Sequence, residues 1–377
     1  MSTNPRPLIC TRCIMDTSDP DITFDEAGVC CYCRIYDTRM RNELFRGEEG
    51  RRRLASIVDR MKAAGKGRPY DCLIGVSGGV DSTMAAWNLK KLGLRPLALH
   101  LDNGWDSELA VDNIKKTLEK LEIDLYTHVL DWEEFRDIQL AFLNASVPNC
   151  EIPTDHAIVA INFRVALDQG IKYIVNGGNI ATEAFVPNAW AYNARDLRHL
   201  NAIHERFGQV PLRTFPTMGV LGSLYAVFVK GIRWITVLNY VDYRKSEAIK
   251  LLQEELGWRS YGGKHYESVY TRFYQGFILK RKFGFDKRRA HLANLVLSGE
   301  LTRDEALAEI ARDDYENSRL CAEDREFVIK KFGLTEAAFE EIMSQPPKTH
   351  YDYPTHRIVF ENMPRMFGLL KRIATRA

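Results

Sequence analysis

The chain lacks the long apolar segments that mark secreted and membrane-spanning proteins. No apolar core of a signal peptide follows the N-terminus, and the most apolar run, residues 218–229, meets Lys230 and Arg233 too soon to cross a bilayer. We therefore expect a cytoplasmic protein without a membrane partner, with residues 218–229 buried in a core. Charge of one sign is also lacking. The 52 basic and 50 acidic residues leave a formal net charge of +2, so no general field attracts nucleic acid and no such partner is expected.

Two common nucleotide-binding signatures are missing as well. Neither G-x-x-x-x-G-K-[ST] nor G-x-G-x-x-G follows the apolar run 71–76. The sequence there is instead Ser-Gly-Gly-Val-Asp-Ser, residues 77–82, and it opens a helical stretch, residues 80–89. A strand, a glycine-rich turn and a helix start together form an anion site, because small residues let backbone N–H groups approach a phosphate and the helix N-terminus adds its dipole.

The side chains of this loop suit ATP and magnesium. The two serine hydroxyls can donate to phosphate oxygens, and the Asp81 carboxylate can bind Mg²⁺ directly or through water. The motif resembles the pyrophosphate-binding loop of the ATP-pyrophosphatase (PP-loop) superfamily, whose members split ATP into AMP and pyrophosphate. An ordinary glycine-rich turn is the alternative. The predicted ATP contacts in this loop are Val76, Ser77, Gly78, Gly79, Asp81 and Ser82.

Five of the eight cysteines lie between residues 10 and 33. Two Cys-x-x-Cys pairs, Cys10 with Cys13 and Cys30 with Cys33, are separated by sixteen residues and fit a tetrahedral zinc site. The spacing favours Cys30 over Cys31 as the third ligand, although either could pair with Cys33. Such a closed site is structural, and its metal stabilises a segment too poor in apolar residues to fold alone. An iron–sulfur cluster or unliganded cysteines are the alternatives.

Apolar runs and helical stretches alternate from residue 67 to about residue 240. Strands are predicted at 71–76, 96–101, 124–130 and 172–175, with helices at 80–89, 108–121, 132–144 and 156–168. Outside this region the sequence predicts a short strand at 22–24 between the cysteine pairs and a C-terminal helix over 323–343. This alternation predicts an α/β fold with a doubly wound parallel sheet. Since ligands of such sheets bind beyond the carboxyl ends of the strands, His100, Asp102, Gly177 and Gly178 join the predicted ATP site.

Four regions follow from these patterns. They are a zinc-binding module (1–40), a linker helix (41–66), a PP-loop ATP-pyrophosphatase domain (67–240) and a helical C-terminal region completing the active site (241–377). In the last region Gly262 and Gly263 precede Lys264 and a helix start, so Lys264 can reach a phosphate, or it is a solvated loop lysine. The basic and aromatic stretch 277–289 is a solvated helix face or an anion-binding surface.

Several segments together resemble the N-acetyl sugar amidotransferases over nearly the whole chain. They are residues 9–25, 28–30, 101–105, 153–158, 176–179 and 261–268. That family is implicated in making acetamidino sugars for bacterial surface polysaccharides, including lipopolysaccharide O-antigen, and for flagellar glycans, with ammonia from a separate glutaminase subunit. The resemblance implies an AMP-forming amidotransferase that takes ATP, Mg²⁺ and a UDP-linked sugar and carries structural Zn²⁺. Cys31 departs from the usual polar residue, which leaves the register of the zinc ligands open.

The implied reaction solves a chemical problem, because an amide is a poor electrophile whose oxygen leaves reluctantly. Attack of the amide oxygen on the α-phosphate of ATP gives an O-adenylyl imidate and pyrophosphate, and ammonia then displaces AMP to leave the amidine. In this scheme Asp81 positions Mg²⁺ and Lys264 stabilises charge on the phosphates. Asp155, His156 and Glu267 are candidates for sugar contacts or for deprotonating ammonium, or they are structural polar residues.

The two sequence signatures of glutaminases are missing. A class II glutaminase needs an N-terminal cysteine, whereas this chain begins Met1-Ser2. A class I glutaminase needs a cysteine within G-x-C-x-G, and none of the eight cysteines has those neighbours. A partner glutaminase or free ammonia is therefore expected.

Two alternatives remain from the sequence. A tRNA-thiolating PP-loop enzyme would use the same adenylate chemistry and a cysteine persulfide, for which Cys150 is the candidate, with Cys72 or Cys321 as a second thiol. Cys72 lies in an apolar strand and Cys150 is equally a partly buried thiol. A non-catalytic zinc-ribbon protein that binds RNA or protein is the other alternative, although intact Ser77, Asp81 and Lys264 speak against it.

Overall fold

A parallel sheet of five strands organises the chain in this computed structural model, which describes residues 7–263, 266–312 and 315–362. The strands are β1 (Cys72–Gly75), β2 (Pro96–Asp102), β3 (Asp124–Val129), β4 (Tyr173–Asn176) and β5 (Arg233–Thr236). Their order in the sheet is β3-β2-β1-β4-β5, and every neighbouring pair is parallel. The predicted doubly wound parallel sheet is thus confirmed.

The strand order reverses between β1 and β4. The chain first winds outward through β2 and β3, then returns to the centre at β4 and winds the other way to β5. In open parallel sheets the loops that leave the two strands at such a reversal diverge and form a crevice for a ligand. Here those loops are residues 76–79 after β1 and residues 177–179 after β4.

The α-helices cover both faces and the carboxyl edge of this sheet. They are α1 (Cys31–Glu43), α2 (Gly47–Ala64), α3 (Val80–Lys91), α4 (Glu108–Leu121), α5 (Trp132–Ala145), α6 (Ile152–Asp168), α7 (Ile180–Glu183), α8 (Leu197–Phe207), α9 (Val220–Leu224), α10 (Lys245–Leu256), α11 (Val269–Phe273), α12 (Leu279–Phe283), α13 (Arg288–Ser298), α14 (Arg303–Ala311), α15 (Arg319–Phe332) and α16 (Glu336–Ser344). Turns of π-helix, Tyr225–Val229 and Tyr274–Ile278, continue α9 and join α11 to α12. No helix of the described residues is long and apolar enough to cross a membrane.

Three cores hold these layers together. One lies between the sheet and α2, α3, α4 and α10, and a second lies between the opposite face and α6. The third and largest contains the N-terminal cysteines, α5, α8 and the C-terminal helices. It includes Trp105, Leu130 and Ile180, which directly follow β2, β3 and β4. The third core therefore packs beyond the carboxyl ends of the strands, where ligands bind.

Several predicted element boundaries were wrong. The short strand predicted at Ile22–Phe24 is only an isolated bridge between Phe24 and Cys30. The helix predicted over 323–343 is two helices, because Gly333 takes a left-handed φ of +72° and ends α15. Strand β5 was not predicted at all.

The prediction that residues 218–229 lie in a core was also wrong. Ala226 is buried, but Leu221 is 82 % exposed and Val229 is 70 % exposed. The run forms α9 and its π-helical continuation immediately before β5, and only part of its surface faces the sheet. An apolar composition alone does not show whether a helix beside a sheet is covered on all sides or only on the side that faces the sheet.

Candidate functional site

The loop after β1 closes around its own serine side chains. Ser77 and Ser82 place their hydroxyl oxygens 3.2 Å apart, and the Ser77 N–H lies 3.3 Å from Ser82 Oγ. The Gly79 N–H donates to Ser77 Oγ at 3.3 Å. Backbone donors and hydroxyls thus converge at the N-terminus of α3, which is the arrangement that binds phosphate.

The Gly78 peptide is held in one orientation from outside the loop. Trp258 Nε1 and the Tyr261 hydroxyl each donate to the Gly78 carbonyl at 2.8 Å. Gly78 itself has a φ of +78°, and a Cβ there would lie 2.8 Å from the Ala110 carbonyl oxygen. Only glycine fits this left-handed and crowded position.

The loop after β4 lies directly against the start of α3. A Cβ on Gly177 would be 2.6 Å from the Ser82 nitrogen, so glycine allows this close approach. Asn179 Nδ2 lies 3.4 Å from Asp81 Oδ1, and the Tyr243 hydroxyl also donates to that oxygen. Residues 177–179 and Asp81 therefore share the crevice at the strand reversal, as the sequence predicts.

The end of β2 contributes a histidine that links two loops. His100 bonds the Val76 carbonyl through Nδ1 at 3.1 Å and Asp106 through Nε2 at 3.0 Å. Burial opposes its protonation, but the Asp106 contact outweighs burial and raises the pKa of His100. Since both ring nitrogens have protein partners, His100 fixes the first strand's end relative to the second. Asp102 is half-buried and accepts from the Gly104 N–H at 2.9 Å.

The C-terminal region is joined to this edge by backbone hydrogen bonds. Ser107 N–H donates to the Glu267 carbonyl at 2.8 Å, and Val269 N–H donates to the Trp105 carbonyl at 2.9 Å. Glu267 consequently lies beside the loop after β1 (residues 76–79, here called the phosphate loop), since a Cβ on Gly79 would be 3.4 Å from Glu267 Oε1. Lys264 lies outside the described residues, between Tyr261 and Glu267, both of which contact or approach the loop.

Asp155 belongs to a separate group of polar residues at the same edge. Its neighbour Thr154 receives a hydrogen bond from Asn103, directly after β2, at 3.4 Å. Glu151 accepts from Gln275 at 2.9 Å and lies 3.4 Å from Lys287 Nζ. Asp155 is an exposed residue, although neighbouring protein atoms crowd its carboxyl group. This desolvation, reinforced by the charge of Glu151 and opposed by that of Lys287, raises the pKa of Asp155 to about 7.

His156 is placed differently from Asp155, its neighbour in sequence. Its Nδ1 lies 2.6 Å from the Ala194 carbonyl, and the Met218 N–H donates to Nε2 at 3.1 Å. It is buried, and desolvation lowers its pKa. The histidine therefore ties α6 to residues 194 and 218, and both of its nitrogens already have backbone partners.

Four cysteine sulfurs form a compact cluster in the N-terminal module. The sulfurs of Cys10, Cys13, Cys30 and Cys33 lie within 4.8 Å of one another, and three of the pairs are 3.6–3.7 Å apart. Zinc–sulfur bonds of about 2.3 Å in a tetrahedron place sulfurs roughly 3.8 Å apart, so the four thiolates fit zinc. The predicted ligand register is the one that clusters, with Cys31 outside.

The cysteine cluster is also bound to the C-terminal helices. Arg303 donates to the carbonyls of Cys10 and Cys13 at 2.9 Å, and Arg289 donates to that of Ile14 at 2.7 Å. The Tyr36 hydroxyl in α1 donates to the Ala181 carbonyl at 3.2 Å. The module thus supports the chain segment that follows the β4 loop.

Several site residues were not predicted from the sequence. Tyr243, Trp258 and Tyr261 touch Asp81 or Gly78 from segments 160 or more residues away in the chain. Lys331 on α15 donates to the Gly104 carbonyl, and its Nζ lies 4.9 Å from the centre of the Trp105 ring. Of these, only Tyr261 had a local signal, because it precedes the Gly-Gly pair.

A family match covers the region that meets the phosphate loop. Residues 267–366 match the family model described as "LPS biosynthesis protein WbpG-like, C-terminal domain". The C-terminal region is similar to the WbpG family. The match begins at Glu267, the residue beside Gly79, and confirms over that part of the chain the resemblance to a surface-polysaccharide enzyme family. A search of curated proteins found no match.

Solved structures with similar chains are distant from this one. A predicted subunit of a tRNA methyltransferase from Methanocaldococcus jannaschii is 17 % identical, with a TM-score of 0.29, and the alignment covers 48 % of this chain and 76 % of that one. NMN synthetase from Francisella tularensis is 15 % identical, also with a TM-score of 0.29, over 55 % of this chain and 96 % of that one. The assignment of this chain to the doubly wound class rests on its own strand order.

Proposed function

We propose that this protein is an ATP-dependent amidotransferase that converts an acetamido group of a nucleotide-linked sugar into an acetamidino group. One observation carries the proposal: the region matched by an LPS-biosynthesis family starts at Glu267, which lies against the ATP-type loop at Gly79. A phosphate-binding loop and a polysaccharide-enzyme region thus share one edge of the sheet.

The loop residues suit the phosphates of ATP. The N–H groups of Ser77 and Gly79, the two serine hydroxyls and the dipole of α3 favour the negative charge of the pyrophosphate leaving group. Asp81 is the carboxylate that would hold Mg²⁺, which supplies charge neutralisation when bound. Its contacts with Tyr243 and Asn179 fix its orientation. In the proposal Lys264, three residues from Glu267 along the chain, adds a positive charge.

Activation of the amide follows from ATP held in this position. The sugar's amide oxygen bonds to the α-phosphorus, the bond to pyrophosphate breaks, and an O-adenylyl imidate results. Ammonia then adds to the imidate carbon, and the carbon–oxygen bond breaks so that AMP leaves with the former amide oxygen. Asp155, with a pKa of about 7, can accept the proton that ammonia loses at neutral pH. Glu267 is nearer the phosphates and is proposed to orient the sugar.

Ammonia comes from outside the chain in this proposal. None of the eight cysteines lies within G-x-C-x-G, and Cys72, Cys150 and Cys321 are buried. A separate glutaminase subunit is the proposed source, with free ammonium as its substitute in an assay.

The burial of Cys150 argues against tRNA thiolation. Cys150 is only 1 % exposed, its thiol donates to the Val147 carbonyl at 3.3 Å, and burial raises its pKa to about 12. Cys72 and Cys321 are buried too. A persulfide carrier needs an accessible thiol with a low pKa, and these sites are the opposite.

The test is release of AMP and pyrophosphate from ATP and Mg²⁺ with ammonium chloride, across a panel of UDP-linked diacetamido sugars. The proposal expects AMP only when sugar and ammonium are both present, with a product about one mass unit lighter because NH replaces O. Asp81→Asn should lose at least roughly 100-fold in rate, the scale of removing one charge-stabilising group. AMP formed only with unmodified tRNA, or no turnover with any substrate, would overturn the proposal.

A further inference from the structure

An apolar stripe lies on the outside of the helical segment 220–229. Leu221, Tyr225, Phe228 and Val229 are all exposed. Their spacing of four, seven and eight residues places them along one side of a helix. The segment around Phe360 lies next to this stripe, since Phe360 and Val220 line the same cavity. Ile358 belongs to that segment and is 77 % exposed. Apolar side chains grouped in this way mark an interaction surface rather than isolated exposure.

A cavity of about 80 Å³ opens behind this stripe. Its walls are mostly apolar, and Arg195 is the one charged residue among the described residues that line it. The other lining residues are Phe163, Val220, Ser223, Leu224, Val227, Trp234 and Phe360. Arg195 forms no ion pair with any residue in the described ranges, and desolvation lowers its pKa.

One donor in the cavity wall lacks an acceptor. Trp234 Nε1 is buried and has no hydrogen-bond partner among residues 7–263, 266–312 and 315–362. This unsatisfied N–H, beside the exposed guanidinium of Arg195 and an apolar space, favours a ligand with an anionic, hydrogen-bond-accepting group attached to an apolar body.

Basic side chains predominate in the stripe's own segment, whereas the neighbouring segment carries the exposed Arg357–Glu361 ion pair. Residues 206–241 contain four basic side chains and no acidic one. Within them Lys230 lies 5.5 Å from the Tyr225 ring centre, and Arg233 is exposed. Lys172 donates to the Lys230 carbonyl at 2.7 Å and adds a further positive charge. In a symmetric dimer through this surface, basic side chains would face basic side chains, which disfavours a second copy as the occupant.

The C-terminal sequence has the same character. Residues 363–377, which follow the cavity-lining segment, contain four basic and no acidic residues, with apolar residues between them. Like charge disfavours this segment as the cover of the stripe. The apolar and basic residues of segments 206–241 and 363–377 instead complement a partner with an apolar interior and a negatively charged surface.

We propose that this stripe docks on an anionic lipid bilayer, with Arg195 at the cavity mouth binding the phosphate of one lipid. Leu221, Phe228 and Val229 enter the headgroup region, while Lys230 and Arg233 remain at the charged surface. The proposal departs from the expectation of no membrane partner, which followed from the absence of a spanning segment. Lying on a bilayer needs no such segment.

Vesicle flotation of the full chain tests this proposal. The protein binds vesicles of phosphatidylcholine and phosphatidylglycerol in equal parts and does not bind pure phosphatidylcholine vesicles. The double variant Leu221→Ser, Phe228→Ser lowers the bound fraction at least about tenfold, since two inserted apolar side chains are lost. Arg195→Gln lowers affinity about fivefold, the factor for one basic residue near an anionic surface. Val111→Ser, another exposed apolar residue on a helix, binds like the parent chain.

Two companion measurements separate the other occupants. Inorganic phosphate should change the thermal unfolding temperature of the parent chain and of Arg195→Gln equally, because any stabilisation comes from the loop at residues 77–82 and not from the cavity. A phosphate-induced rise that Arg195→Gln abolishes, without vesicle binding, would make the cavity a free-phosphate site and overturn the proposal. Light scattering should give the mass of a monomer for the parent chain and for the double variant Leu221→Ser, Phe228→Ser. A dimer that Leu221→Ser, Phe228→Ser dissociates would make the stripe a contact between copies. Equal binding to both vesicle types would contradict the anionic requirement.

Discussion

At the residue scale, Gly78 is constrained by its φ of +78°, by the Ala110 carbonyl and by two donors to its own carbonyl. With that carbonyl bound by Trp258 and Tyr261, the N–H of the same peptide unit, on Gly79, points back towards Ser77. In the proposed function, the loop therefore presents its donors before ATP arrives. Such preorganisation reduces the free-energy cost of binding phosphate.

Gly78→Ala should distinguish an effect on ATP binding from the loss of stability that any alanine with a positive φ causes. A matched control is Gly257→Ala, since Gly257 also has a positive φ, +67°, but has no atom within 4 Å of a Cβ. Both variants should lose about 1–2 kcal/mol of unfolding free energy in urea melts, the cost of a left-handed alanine. Only Gly78→Ala should raise the KM for ATP, by at least about tenfold, because its Cβ displaces the Ala110 or Tyr261 contact. Equal KM values would show that the loop tolerates a side chain.

Asp155 should make stability depend on pH in a defined direction. Its pKa is raised to about 7 in the folded protein and is near 3.9 in an unfolded chain, so the folded state binds the proton more tightly. Its contribution to stability is fully present below about pH 4 and is lost as pH rises through about 7. The unfolding free energy of Asp155→Asn minus that of the parent chain should therefore be larger at pH 8 than at pH 5.

Urea unfolding at those two pH values measures the Asp155 effect. Asp304→Asn, at an exposed carboxylate in the first turn of α14, controls for the general loss of a negative charge. A parent-to-variant difference that is the same at both pH values would mean that Asp155 is not desolvated.

At the element scale, the N-terminal module is coupled to the ATP edge through carbonyl contacts. Arg303 holds the cysteine loop, and Tyr36 holds Ala181 next to the β4 loop. We therefore expect that removing zinc from the four thiolates would affect Asn179 and Asp81 through contiguous contacts.

Cys13→Ser should remove bound zinc and weaken ATP binding, with Cys31→Ser as its control. Cys13 is one of the four clustered sulfurs and Cys31 is not. Metal analysis should find about one zinc per chain in the parent protein and in Cys31→Ser, and none in Cys13→Ser. The unfolding temperature should fall, and the KM for ATP should rise, only in Cys13→Ser. Zinc loss from Cys31→Ser instead would reassign the ligand register.

A buried ion pair joins α11 to α15 over the site. Arg272 makes two contacts of 2.7 Å with Asp324, which also accepts from the Tyr315 hydroxyl at 2.7 Å. Asp324→Asn should cost about 3–5 kcal/mol of unfolding free energy, since it leaves a buried guanidinium without its charge partner. Glu323→Gln breaks only the exposed pair with Arg319 and should cost less than about 1 kcal/mol in the same urea titration. Similar losses in both would contradict the burial of the first pair.

The elements differ in how far the sequence determines them. Strands β1, β2 and β4 are apolar runs between helices, so pattern alone identifies them. Strand β5 begins with the exposed Arg233, has no fully buried residue and lies at the sheet edge, so its apolar pattern is weak. The helix break at Gly333 was visible as a glycine, but helical periodicity on both sides concealed it.

At the scale of the whole molecule, the site forms where the strand order reverses. The order β3-β2-β1-β4-β5 brings Gly177 against Ser82 at the start of α3, and alternating strands and helices predict that these two loops meet. The positions of Tyr243, Trp258 and Lys331 could not be predicted in the same way, because they depend on how the C-terminal helices fold back over the sheet. Only tertiary packing decides which of many aromatic and basic residues reach the loop.

Oxygen tracing tests the central claim most directly. A UDP-linked sugar carrying ¹⁸O in its acetamido oxygen is turned over with ATP, Mg²⁺ and ammonium, and the nucleotide products are analysed by mass spectrometry. Transfer through an O-adenylyl imidate predicts that each AMP carries one ¹⁸O and that pyrophosphate carries none. Label in inorganic phosphate with release of ADP, or AMP without label, would contradict the account.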